Sequence, residues 1–194
     1  MKEVTKQKQE IRETALAARK KLTREHVLTR SKTVIENLKK LEEYKSAGKI
    51  MCYVSFDAEV NTKEFIKNEL ADKKTIIVPF IKDEKIFPSK LSAFDNLVKG
   101  KYNTLEPKDK VLFVGDIDLI IIPGVAFDIN GSRIGFGKGY FDEFLKGYRE
   151  SFKVGLAFEE QIVDFIPTTR NDVQMDVIVT DKRIIDNVCL SCMR

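Results

Sequence analysis

Leu119-Ile120-Ile121-Ile122-Pro123 is apolar at every position, and such a run belongs in a strand covered on both faces, as in a parallel sheet flanked by helices. A strand buried this way needs neighbours of its own kind. The sequence supplies them as short β-branched runs at 50–54, 75–79, 152–157 and 177–180. Pro79 is expected to end the second of these. Residues 86–91 read as a more exposed strand, and 98–110, with Gly100 and Pro107, as loop. Helical spacing alternates with the strands, at 62–71 and at 138–147, where Tyr140, Phe144 and Leu145 share a face. Ahead of the first strand, Ile11, Ala15, Ala18 and Leu22 mark one helix. Thr23 is a good N-cap for another, whose face carries Leu28, Ser31, Ile35 and Leu38 before Gly48 breaks the pattern. The order predicts an α/β fold, a mostly parallel sheet with helices on both faces. One domain is expected over 1–194, with N-terminal helices at about 6–41 packed on its body.

Ligands of such sheets collect beyond the carboxyl ends of the strands, which selects three loops: 55–61, 123–140 and 172–176. The middle one is the most informative. It runs Asn130-Gly131-Ser132-Arg133-Ile134-Gly135-Phe136-Gly137-Lys138-Gly139-Tyr140-Phe141-Asp142. A P-loop would need glycine at 132, where serine stands, and a hydroxyl residue at 139, where glycine stands. A dinucleotide fingerprint would need its third glycine at 140, the place of Tyr140. Both fail, yet the chemistry of anion binding remains. Alternate glycines turn successive N–H groups towards one anion, and Arg133 and Lys138 add full charges. Asp142 is well placed to hold a metal ion, or to face the dipole of the helix that follows.

Composition removes several classes. No run approaches the roughly 18 apolar residues of a membrane span, and no apolar segment follows the polar first residues, so a cytoplasmic location is expected. The net charge of +4 is spread among interspersed acids, unlike the one-sided footprint of nucleic-acid binding. His26, the only histidine, falls at the start of a predicted helix rather than beside any nucleophile candidate, so catalytic triads and multi-histidine metal sites are nearly excluded. Cys52 reads as a buried thiol, and Cys189 and Cys192 as part of a tail rather than a zinc site.

The stretch from Asp118 through Phe127-Asp128 into 131–142 resembles the 5-formyltetrahydrofolate cyclo-ligases, also called 5,10-methenyltetrahydrofolate synthetases. Lys8-Gln9-Glu10-Ile11-Arg12, Asp57-Ala58-Glu59-Val60-Asn61-Thr62, Gly155-Leu156-Ala157-Phe158 and Asp176-Val177-Ile178-Val179-Thr180 extend the resemblance over nearly the whole chain. It implies a fold like that of ribose-phosphate isomerases and CoA transferases. It also implies ATP- and Mg²⁺-dependent closure of 5-formyltetrahydrofolate to the methenyl form, by a monomer or weak homodimer. By the same resemblance Lys8, Arg12 and residues 133–141 (Arg133, Ile134, Gly135, Phe136, Gly137, Lys138, Gly139, Tyr140, Phe141) hold ATP, with Lys138 and Arg133 catalytic. Val54, Glu59 and Tyr140 contact folate, and Asp142 and Asp176 are the metal ligands. The chain departs from the family at Phe141, where tyrosine is common, and at Asn171, where histidine often precedes the acid. A sugar-phosphate isomerase or CoA transferase on the same fold, and a non-catalytic folate- or nucleotide-binding module, are the competing readings.

Overall fold

A computed structural model describes residues 2–72, 74–100 and 104–187, so the Cys189 and Cys192 reading lies outside the described residues. The centre is a seven-stranded sheet in the order β12-β11-β9-β6-β1-β2-β3. The strands are β1 (Lys49–Cys52), β2 (Thr75–Lys82), β3 (Lys85–Lys90), β6 (Leu119–Pro123), β9 (Phe152–Leu156), β11 (Val177–Val179) and β12 (Ile184–Asp186). The uniformly apolar run is β6, the middle strand, and its first four residues are buried. The inner pairings, β2 with β1, β1 with β6, β6 with β9 and β9 with β11, are all parallel. The edge strands β3 and β12 are antiparallel. The sheet is thus mostly parallel, as the alternation predicts.

Pro79 does not end its strand. It lies two residues past Ile77, the last β2 residue paired with β1, so no ladder bond to β1 is lost. On the other side it stands opposite Pro88 of β3. The segment 98–110 is not all loop either, since β4 (Leu97–Lys99) and β5 (Leu105–Pro107) form a short antiparallel pair.

One face of the sheet is covered by α2 (Arg24–Leu38), α3 (Glu42–Ser46) and α4 (Lys63–Ala71). Val34, Leu38, Tyr44, Phe65 and Ile66 pack there on Ile50, Ile76, Leu119 and Ile121. Thr23 caps α2 as expected, its hydroxyl accepting the N–H of His26. The other face carries α5 (Tyr140–Leu145), which buries Phe144 and Leu145. A small sheet of β7 (Ala126–Asp128), β8 (Arg133–Ile134) and β10 (Ile162–Val163) completes that side. Its Phe127 ring lies so near the backbone that a Cβ on Gly124 or Gly155 would come within 2.3 or 2.5 Å of it. This close fit lays the β7–β8 hairpin on the main sheet. Helix α1 (Lys2–Lys20) packs on that hairpin through Ala15, which clusters with Ala126, Ile134 and Ile166.

Candidate active site

Beyond the carboxyl ends of β1, β2 and β6 lies a crevice of about 390 Å³, within the usual range for small-molecule sites. Tyr53, Val54 and Glu59 line it after β1, and Pro79, Ile81 and Ile86 from β2 and β3. The rest comes from Phe56, from 104–106, from Pro123 and from the glycine loop up to Asp142.

The loop's conformation follows from its glycines. Gly137 and Gly139 have φ of +94° and +69°, and a Cβ at Gly137 would stand 3.4 Å from the Arg12 guanidinium. Side-chain-bearing residues are strained at such φ. Arg12 Nε donates to the Gly135 carbonyl at 2.9 Å, so α1 holds the loop from behind. One turn earlier Lys8 Nζ lies 2.7 Å from Asp172 Oδ2. The two cations share a helix face, as their spacing implies, and neither is freely solvated.

Arg133 is buried on β8. Its Nη1 donates to the Pro123 carbonyl at 3.2 Å and its Nη2 to Asp142 Oδ2 at 2.9 Å, while its Nε has no partner. The guanidinium also lies 5.8 Å from the centre of the Phe141 ring, the residue that replaces the family's second tyrosine. Lys138 is exposed and makes no hydrogen bond or ion pair with a described residue. Tyr140 lines the crevice while packing against the α5-side core.

Glu59 is buried beside Tyr53 and Val54. One oxygen accepts the Phe56 N–H at 3.2 Å, and Oε1 has no partner. Burial pushes its carboxyl up to about 7, only partly offset by the Phe56 N–H and by Arg19. Because the folded value lies above the unfolded one, the stabilisation from this proton is fully present below about pH 4.5 and is lost as pH rises through about 7. Calorimetric melting of the ligand-free protein is therefore expected to lose on the order of 3 kcal/mol across that window through this group. Glu59→Gln abolishes that component. An unchanged pH dependence in the variant would contradict the assignment.

Four expected site residues do not line the crevice, Lys8, Arg12, Ile134 and Asp176, of which the first two stand behind its loop on α1. Ile134 sits in the core with Ala15 and Val125, and its carbonyl accepts the Val125 N–H. As a β8 residue it alternates with Arg133, so it faces away. Asp176 precedes β11 at the end of the sheet where strands begin. Its Oδ2 accepts the Lys153 N–H at 2.7 Å and lies 3.7 Å from the Lys153 ammonium. No contact joins it to Asp142, whose Oδ1 accepts the Val173 N–H at 3.3 Å. Among the described residues no group of three or more His, Cys, Asp or Glu side chains forms a metal cage.

Sequence reasoning missed Phe56, whose ring meets that of Phe136 at 5.5 Å. It also missed Arg19, buried with its guanidinium 5.8 Å from the Phe136 ring centre. Glu106 lay hidden in a segment read as loop. No local signal marks these three, since each is defined by what folds against it.

The family model of the 5-formyltetrahydrofolate cyclo-ligases matches residues 4–181. A probable 5-formyltetrahydrofolate cyclo-ligase of Caenorhabditis elegans is 29% identical, with 95% of this chain and 98% of that protein covered. The 5-formyltetrahydrofolate cyclo-ligase of Haemophilus influenzae is 32% identical, covering 90% and 98%. Among solved structures, the 5,10-methenyltetrahydrofolate synthetase of Aquifex aeolicus superposes with a TM-score of 0.82 at 33% identity, covering 93% of this chain and 92% of that one.

Proposed function

Since the chain belongs to the 5-formyltetrahydrofolate cyclo-ligase family, we propose that it closes 5-formyltetrahydrofolate to 5,10-methenyltetrahydrofolate, with ATP as phosphoryl donor. One observation carries the site assignment. An apolar crevice beside a glycine loop contains buried polar atoms of opposite demand without hydrogen-bond partners, among them Glu59 Oε1 and Arg133 Nε. Buried polar groups normally find partners, and a ligand with both hydrogen donors and anionic oxygens satisfies both.

The reaction needs activation because an amide-like formyl oxygen leaves poorly. The N5 lone pair drives that oxygen onto the γ-phosphorus, the bond to the bridging oxygen breaks, and ADP departs. N10 then attacks the iminium carbon. The C–O bond breaks, phosphate leaves with the electron pair, and the N10 proton is released. Positioning and charge neutralisation are the protein's main contributions. The N–H groups of Gly135, Gly137 and Gly139, with Arg133 and Lys138, bind the phosphates, while Lys8 and Arg12 support the loop from α1 and Phe136 and Phe141 flank it. Val54, Glu59 and Tyr140 contact the folate. Glu59, held near neutrality, orients the reacting nitrogens and accepts the N10 proton.

Asp142 would hold Mg²⁺ through the lone pairs that Arg133 and the Val173 N–H leave open, since this ion takes one or two carboxylates and fills its shell with phosphate oxygens and water. When bound it neutralises phosphate charge. A cytoplasmic location, a monomer or weak homodimer, and a likeness to the ribose-phosphate isomerase and CoA transferase fold belong to the same reading.

The deciding experiment mixes the protein with 5-formyltetrahydrofolate, Mg²⁺ and ATP and follows near-ultraviolet absorbance of the methenyl product. An ATP-dependent rise is expected. Its absence with well-folded protein would sink the proposal.

A further inference from the structure

The crevice contains a second buried carboxylate, which the reaction above does not use. Glu106 stands in the middle of β5 and is 1% exposed. Its Oε1 accepts the Ile81 N–H at 3.3 Å. Its Oε2 lies 2.8 Å from the ammonium of Lys110, at an angle unsuited to a hydrogen bond, and accepts none. The site is built around this group. A Cβ on Gly100 would fall 2.4 Å from the Glu106 carboxyl carbon, so a side chain there would displace the carboxylate. Beside it the crevice is lined by Ile81, Ile86 and Leu105. The Lys110 ammonium offsets the charge of this carboxylate but leaves Oε2 without a hydrogen bond, which a ligand that brings donors supplies.

Position decides which donors. The β4–β5 hairpin packs through Leu97 and Leu105 against the helix-covered core, whereas α5 packs against the core on the opposite face. Glu106 and the glycine loop therefore line the crevice from different layers. In the proposed reaction the N5 formyl group must face the phosphates. On a pterin the 2-amino group and N3–H lie across the bicycle from N5, so that edge points away from the glycine loop. It presents two parallel N–H donors, the pattern a carboxylate accepts in bidentate fashion.

We infer that Glu106 is a substrate-binding carboxylate that takes the 2-amino and N3 hydrogens of the pterin ring of a reduced folate, an assignment that rests on the cyclo-ligase reading. The test is calorimetric titration, without ATP, of 5-formyltetrahydrofolate and its 2-desamino analogue. The wild-type protein is expected to bind the parent at least tenfold more tightly. Glu106→Gln keeps the length and an acceptor for Ile81. It is expected to bind both ligands alike and to raise KM for 5-formyltetrahydrofolate at least tenfold, with KM for ATP unchanged. Equal binding of the two ligands by the wild-type protein overturns the assignment without any variant, as does a Glu106→Gln protein that keeps wild-type affinity and discrimination. If the wild-type protein neither binds nor turns over 5-formyltetrahydrofolate, the cyclo-ligase reading falls and takes this assignment with it. If it turns the substrate over without discriminating, only the role of Glu106 falls.

Discussion

Lys138→Ala lowers kcat by about 10² to 10³, a loss of roughly 3–4 kcal/mol of transition-state stabilisation, the scale of removing one preorganised charge stabiliser from an active site. The size of the effect comes from position. Lys138 lies between Gly137 and Gly139, both in left-handed conformations, so the loop presents its ammonium beside N–H groups suited to the same anion. Its exposure, without a described hydrogen bond or ion pair, means the fold asks nothing of it. Stability should therefore stay within about 0.5 kcal/mol of wild type. The measurement is kcat at saturating ATP together with a thermal melt. Wild-type turnover in the variant would show that this side chain does not stabilise the transferring phosphoryl group.

Asp128→Ala has the opposite signature, a large loss of stability from a residue outside the crevice. Asp128 is fully buried at the end of β7. Its Oδ1 accepts the N–H groups of Asn130 and Ser132 at 3.0 and 2.9 Å, and its Oδ2 that of Ile166 at 2.8 Å. The variant strands the buried N–H groups of Ser132 and Ile166, which costs about 2–6 kcal/mol when each buried, unsatisfied group contributes roughly 1–3. In a chain of this size that lowers Tm by about 4–24 °C. Scanning calorimetry reads it directly, and an unshifted Tm would mean the turn is held by something else. Activity should fall with stability, because this turn feeds β8 and sets where Arg133 begins.

Much of this was legible in the sequence, for definite reasons. The run at 119–123 located the middle strand because only a doubly covered strand tolerates apolar residues on both faces. Thr23 located the start of α2 because its hydroxyl answers a donor within the same turn. The glycine loop was legible because its backbone needs are local. Pro79 misled because its tolerance depends on how far β1 extends alongside it. Asp176 was carried into the site by resemblance alone, while its nearest partner, Lys153, depends on the β9–β11 register. Glu106 was invisible for the same kind of reason: its burial is created by Ile81 and Gly100, which its own neighbourhood in the chain does not announce.

The ties that α1 makes also set an order of assembly. Arg19 reaches Gly124, Arg12 reaches Gly135 and Lys8 reaches Asp172, across 105, 123 and 164 residues. Closing such loops carries an entropic cost that only the finished body repays. A growing chain makes its first helix before anything exists for that helix to hold, and until residue 172 has been added one end of the clasp behind the glycine loop is missing. The glycine-loop half of the crevice is thus completed late, although the helix that braces it from behind precedes it in the chain.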